Sequence, residues 1–246
     1  MISKAALVLD EMLRFPGGAT PSEVAQGTGT NRSTTFRLLT SLEYAGLLDR
    51  DAATGRYRLG VKLLRYADSV RDNLGLVRAA EPAMRDLRDE TRQSVYLSVR
   101  EGWGAVCLHR LAGPEVDVLA WKAGQWLPFH VGAGPTALLA ATPDHELAVY
   151  LGADERRANR HGDLSRADLE AMIAEARARG WSFNSEGLTE GVASLGAVVR
   201  DRSGGPLCAI SVAGLVRHYH GDRLDQTAAA VLRTVSDLAR QFGGSR

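Results

Sequence analysis

The stretch 28-TGTNRSTTFRLLTSLEYAGLL-48 decides the fold. Its second half places Leu38, Leu39, Leu42 and Ala45 at helical spacing, the pattern of one buried stripe. Its first half is polar and basic: Asn31, Arg32, Ser33, Thr34, Thr35 and Arg37. Thr30 or Asn31 can cap the helix and Gly46 closes it. One end is built for a core and the other for something polar outside it.

Upstream, "TPSEVAQGTG" reads as a short helix. Thr20 is its N-cap, Pro21 takes the first helical position, and Glu23 stands where a capping box needs an acid. Gly27 and Gly29 end it. Before that, residues 2–15 carry Ile2, Ala5, Ala6, Leu9, Met12 and Leu13 on one helical face, stopped by "FPGG". Downstream, "LLDRDAATGRYRLG" reads as a hairpin turning at Gly55. Alternation puts Tyr57 and Leu59 on one side and Arg56 and Arg58 on the other. Residues 1–60 therefore form a winged helix-turn-helix in outline.

A helix fits the major groove of double-stranded DNA, and the start of the second helix of such a motif meets the base edges. Asn and Arg make two-pronged contacts to adenine and guanine, and Ser and Thr reach phosphates or bases. The expected DNA-binding residues are Asn31, Arg32, Ser33, Thr34, Thr35 and Arg37, with Arg56 and Arg58 of the wing on the backbone. The charge distribution agrees in direction. Residues 1–66 hold nine Lys or Arg against six Asp or Glu, whereas the whole chain of 246 residues is only +1.

Residues 61–75 read as a linker helix with a seam of Leu63, Ala67, Val70 and Leu74, which can pack on its own chain or, preferentially, on a second subunit. From residue 76 to 246 helices and apolar strands alternate irregularly, which gives an α+β domain with an antiparallel sheet. The expected strands include "SVYLSVREG", "WGAVCLHRLAG", "VDVLAWKAG", "GVASLGAVVRD" and "PLCAISVAGL". A long amphipathic helix closes the chain.

The two cysteines, Cys107 and Cys208, have no metal-ligand spacing and suit a reducing cytoplasm. No apolar run approaches a membrane span, and the first residues do not read as a signal peptide. "HYH" at 218–220 would put two imidazoles on one side of a strand, but no third metal ligand is placed, so a surface pair is expected. His130 beside the glycine loop is expected to bond to nearby backbone. With no GxSxG, HExxH or Walker loop, no catalytic residue, metal or cofactor is expected, and the protein is not read as an enzyme.

In the second domain "LPFHVGAGPTALLA" stands out. Gly132 and Gly134 allow close approach to the backbone, and a loop opening a helix offers N–H groups to an anion. Leu119, Trp121, Trp126, Phe129, Trp181 and Phe183 supply either an apolar pocket wall or core.

Together these segments resemble the isocitrate lyase regulator (IclR) family of bacterial transcription factors. The resemblance rests on "TPSEVAQGTGTNRSTTFRLLTSLEYAGLLDRD" and "TGRYRLG" in the first domain. In the second it rests on "LPFHVGAGPTALLA", "RARGWSFNSEGLTEGV" and "PLCAISVAGL", and it covers nearly the whole chain. It implies a C-terminal effector-binding domain of GAF-like fold and a homodimer or homotetramer on a near-palindromic operator. It also implies a small-molecule effector, commonly an organic acid. By resemblance the pocket is formed by Ala133 and Gly134 on one wall and by Asn184, Val192, Ser194, Ser211 and Ala213 on the other. Where the family commonly has Lys, this chain has Thr136. The Trp content directs the effector towards an aromatic acid such as a hydroxybenzoate.

Overall fold

A computed structural model describes residues 1–114, 121–152, 164–185 and 188–244. The chain divides into two compact units, Met1–Leu74 and Gly75–Arg246.

The first unit begins with α1 (Ile2–Met12), α2 (Pro21–Thr28) and α3 (Arg32–Tyr44). The capping box of α2 forms as its spacing requires. Glu23 N donates to Thr20 Oγ1 at 3.3 Å, and Thr20 N donates to Glu23 Oε2 at 2.7 Å. Gly29 ends α2 in the left-handed region at φ 64°, a conformation that favours glycine. Asn31 caps α3 by accepting Thr34 N at 2.8 Å. A hairpin of β1 (Leu48–Arg50) and β2 (Tyr57–Leu59) follows, pairing Leu48 with Leu59 and Arg50 with Tyr57. Ala19 adds a bridge to Tyr57 along the other edge of β2.

Val8, Met12, Leu38, Leu39, Leu42, Leu48 and Tyr57 meet in one core. Each such side chain contributes roughly 1.5–3 kcal/mol by leaving water. Of the face expected on α1, Met12 is buried and Ala5 and Leu9 pack on the core, while Ile2, Ala6 and Leu13 stand outside. Val8, one turn before Met12, is the further buried residue. α4 (Lys62–Leu74) belongs with this unit, and Lys62 Nζ donates to Ala45 O at 2.8 Å.

The second unit is a three-layer α+β arrangement. Its sheet has six antiparallel strands in the order β5-β4-β3-β8-β7-β6, from β3 (Ser94–Glu101), β4 (Gly104–Leu111), β5 (Trp126–Pro128), β6 (Ser182–Ser185), β7 (Val192–Arg200) and β8 (Pro206–Leu215). Strand alternation sorts side chains between two helical layers. Val95, Leu97, Leu195, Ile210 and Val212 pack on α5 (Leu76–Thr91) and α9 (Asp222–Gly244). Tyr96, Cys107, Ala209 and Ala213 face α6 (Ala133–Ala140), α7 (Asp144–Leu151) and α8 (Arg166–Arg179).

Two local expectations differ, and one strand was not anticipated. The strand expected in "VDVLAWKAG" lies partly outside the described residues, and Trp121–Gly124 is a turn; the edge strand is β5 instead. "WSFNS" contains β6. "HYH" lies on no strand: His218 ends a 3-10 turn, Val216–His218, and Tyr219 is buried among core residues of the α5–α9 side.

Candidate nucleic-acid interface and effector cavity

The stripe of Thr35, Leu38, Leu39 and Leu42 fixes the rotation of α3 about its axis. The opposite face then carries Arg32, Ser33, Phe36, Arg37 and Thr40, all exposed. Among the described residues Arg32 and Arg37 make no ion pair. Two cations without local partners on a protruding helix end leave a positive surface available to an outside anion.

The remaining expected residues have other positions. Thr35 is fully buried, and its Oγ1 donates to Asn31 O at 3.0 Å and lies 2.6 Å from Thr30 Oγ1. Thr30 Oγ1 lies 2.8 Å from Thr28 Oγ1, so a row of three hydroxyls pins the turn between the helices. Thr35 therefore holds the turn and is withdrawn from any groove-facing surface, because it is in phase with the leucines. Asn31 uses its carbonyl oxygen for the cap and keeps its amide N–H2 for an outside acceptor. Thr34 is half-buried.

On the wing, Arg56 is engaged within the unit. Its Nε donates to Gly18 O at 2.9 Å, and its Nη2 donates to both Glu23 oxygens at 2.9 and 3.2 Å. Arg58 Nη2 reaches Asp51 Oδ2 at 3.2 Å. Asp51 meanwhile accepts Ala53 N and Thr54 N, each at 2.9 Å, which shapes the wing turn and holds its carboxyl below the usual range. Phe36 was missed by reading α3 for hydrogen-bonding side chains alone. Its signal was helical phase, since position 36 falls between the buried positions 35 and 38.

In the second unit a cavity of about 450 Å³, mouth included, opens beside the start of α6. Gly132, Ala133, Gly134 and Pro135 form one wall. Asn184, Val192 and Ser194 of β6 and β7 form another, and Ser211 and Ala213 of β8 lie beneath. Tyr96 and Trp121 close it with stacked rings 5.9 Å apart. Trp121 is held by its indole N–H donating to Gln125 O at 2.8 Å.

Of the expected pocket residues, Trp121, Ala133, Gly134, Asn184, Val192, Ser194, Ser211 and Ala213 thus share one cavity. Leu119 lies outside the described residues. Phe129 is not in the cavity wall; it is fully buried against Tyr150, with ring centroids 5.8 Å apart. Trp181 and Phe183 pack towards the α5–α9 layer, and Trp126 is half exposed on the edge strand. Strand alternation separates Phe183 from the cavity, which sequence distance alone could not show. Tyr96, Leu127, Leu188 and Thr189 were not anticipated. The Nδ1 of buried His130 lies 3.0 Å from Tyr150 Oη.

The two glycines of the loop serve packing as well as access. Gly132 has φ 80°. A Cβ on Gly134 would stand 3.0 Å from Ser98 Oγ and 3.1 Å from Ser211 Oγ. The start of α6 offers an anion fewer N–H groups than its sequence suggests. Ala133 N donates to Ser194 Oγ at 3.1 Å, Thr136 N to Gly132 O at 3.1 Å, and Pro135 has none. Thr136 also turns its hydroxyl inward, donating to Gly132 O at 2.9 Å or Phe129 O at 3.2 Å. Hydroxyls and aromatic rings, more than charge, line the cavity among the described residues.

The family description "IclR helix-turn-helix domain" matches residues 2–52, and "Bacterial transcriptional regulator IclR C-terminal" matches residues 68–240. An HTH-type transcriptional regulator of Mycobacterium tuberculosis is 32% identical over all of this chain and 93% of its own length. The transcriptional repressor IclR of Escherichia coli is 25% identical over all of this chain and 90% of its own. Among solved structures, an IclR-family regulator from Brucella abortus superposes with a TM-score of 0.84 at 22% identity, covering 98% of this chain and 91% of the other. An IclR homologue from Microbacterium hydrocarbonoxydans, complexed with 4-hydroxybenzoate, gives a TM-score of 0.73 at 20% identity, covering 97% and 98%. These relatives are transcriptional regulators rather than enzymes. Among the described residues, no helix is long and apolar enough to cross a membrane.

Proposed function

The chain belongs to the IclR family of bacterial transcriptional regulators, and on that premise we propose that it reads a near-palindromic operator through α3 and releases or tightens it in response to a small aromatic acid. Residues 1–60, the helix-turn-helix and wing of the first unit, are the reading head. Arg32, Ser33 and Arg37 meet base edges, while Asn31 and Thr34 lie nearer the phosphates. Arg58 steadies the wing against the backbone, and Arg56 braces it from within. Arg32 and Arg37, without ion pairs among the described residues and exposed on α3, carry this reading.

Residues 61–75 join the reading head to the effector domain, residues 76–246. Of the seam Leu63, Ala67, Val70 and Leu74, Val70 is exposed and Leu63 and Ala67 are half-buried, which leaves an apolar edge of α4 for a second subunit in a homodimer or homotetramer. Two heads would then meet two half-sites at a spacing set by the assembly. The protein works in the cytoplasm, beside the DNA it reads.

The cavity beside α6 is the effector site. Its stacked Tyr96 and Trp121 favour a flat ring, and Ser194 and Ser211 can orient a phenol or carboxylate. The hydroxybenzoate held by the Microbacterium relative supports the same class. The effector shifts DNA binding only by its differential affinity for the two states of the protein.

The test is a fluorescence-anisotropy titration of duplexes from the intergenic region beside the gene, repeated with a panel of aromatic and aliphatic acids. Specific binding shifted by an aromatic acid is expected. Specific binding shifted only by aliphatic acids would remove the aromatic assignment, and no specific binding would remove the operator reading.

A further inference from the structure

Phe36 is 51% exposed on the same face of α3 as Arg32, Ser33, Arg37 and Thr40. A large apolar ring left half in water is unremarkable alone. Its surroundings make it specific. Arg32 lies one turn before it and Arg37 directly after it, both without ion pairs among the described residues. The nearest acid on the helix, Glu43, lies seven residues on, about two turns away. Thr40, one turn after Phe36, donates its hydroxyl to Phe36 O at 3.0 Å, so its methyl group is the end left for an outside contact.

The face therefore combines uncompensated positive charge with an apolar ridge of Phe36 and Thr40. An apolar protein partner would leave the two guanidinium groups to be desolvated without compensation. A polyanion that also presents an apolar projection satisfies both. In the major groove of duplex DNA that projection is the C5-methyl group of thymine, and Phe is among the side chains that contact it.

We propose that Phe36 is a specificity-determining residue that packs on a thymine methyl in each half-site and sets a thymine requirement beside the base read by Arg32 or Arg37. The inference rests on the operator-reading role of α3. Because the contact is with a methyl group alone, it adds selectivity without adding a charge or a hydrogen bond.

The test begins by selecting duplexes from a random pool with the full-length protein. Each thymine of the selected site is then replaced in turn by deoxyuridine, which removes only the methyl. Affinities are measured by anisotropy for the natural protein, Phe36→Ala and Phe36→Leu. At one thymine per half-site the natural protein should lose about fourfold, the worth of one buried methyl. Phe36→Ala should bind thymine and uracil equally at that position, and Phe36→Leu should keep part of the difference. A selected sequence whose uracil sensitivity is the same for all three proteins would overturn the role of Phe36 while leaving the operator reading intact. Failure to select any sequence would overturn both.

Discussion

The guanidinium of Arg56 grips both carboxylate oxygens of Glu23, at 2.9 and 3.2 Å, and so fastens the wing to the capping box of α2. Glu23 is held below the usual carboxylate range first by the Thr20 backbone N–H, then by the Thr20 hydroxyl, with Arg56 adding to them. A carboxyl that is a stronger acid in the folded state stabilises it fully above the ordinary carboxylate range. That contribution is lost as pH falls through the folded value. The protection of amides across residues 20–28, taken against the unstructured exchange rate at the same pH, should therefore fall on acidification through this range, and Glu23→Gln should flatten the dependence. Arg56→Ala should accelerate exchange there at neutral pH and weaken binding equally for all DNA sequences. A change in sequence preference would show instead that Arg56 contacts bases.

Arg32→Ala and Thr35→Val separate reading from folding on one helix. Arg32 is exposed and has no ion pair among the described residues, so its loss should leave thermal stability unchanged. It should cost ~1–3 kcal/mol of operator binding and relax preference at one position. Thr35 is buried with its hydroxyl bonded to Asn31 O. Valine there leaves the Thr30 hydroxyl short of a partner and should cost about 1–3 kcal/mol of stability, with base preference retained. Gel-shift competition among single-base variants, beside thermal unfolding, checks both. An Arg32→Ala protein of unchanged selectivity would take Arg32 out of the base-reading set.

The architecture was legible wherever a local rule acts alone. The Thr20–Glu23 capping box, the Asn31 cap, the Tyr57 and Leu59 side of the wing, and the β7–β8 hairpin all follow from residue spacing. The site was less legible because it depends on phase and on contacts far apart in sequence. Thr35, expected to face DNA, is buried, and Phe36, for which nothing was expected, is exposed one residue further round the helix. Phe183 and Ser194 lie on neighbouring strands, yet only Ser194 reaches the cavity, since strand faces alternate. Arg56 bonds Glu23 across 33 residues, a contact that composition and periodicity do not encode.

Gly134 and Gly196 meet across the start of α6, and alanine should act differently at each. At Gly134 the new methyl would meet two small hydroxyls and lie 3.5 Å from Trp121. Crowding is offset by the roughly 1 kcal/mol that Ala gains over Gly in a helix. Gly134→Ala should therefore fold normally, bind DNA without effector and lose the effector response. At Gly196 the methyl would stand 2.9–3.0 Å from the backbone of Ala133 and Gly134, which cannot rotate away. Gly196→Ala should destabilise the second unit by about 1–3 kcal/mol. Calorimetric titration and thermal unfolding distinguish the two. An intact effector response in Gly134→Ala would place the ligand elsewhere.

Ser194 and Ser211 both line the cavity, but only Ser194 carries structure. Its hydroxyl accepts Ala133 N at 3.1 Å and ties β7 to the first turn of α6. Ser194→Ala leaves that N–H without its partner, so stability should fall by roughly 1 kcal/mol along with effector affinity. Ser211 Oγ has no partner among the described residues, and it faces the cavity beside Gly134. Its hydroxyl is therefore available to a ligand. Ser211→Ala should leave thermal stability and effector-free DNA binding unchanged while weakening effector binding about tenfold, the worth of one hydrogen bond to a charged or phenolic group. Unaltered calorimetric affinity in Ser211→Ala would mean that the effector's polar group turns towards Asn184 and Thr189 at the other wall, and the same substitution test at those positions would locate it.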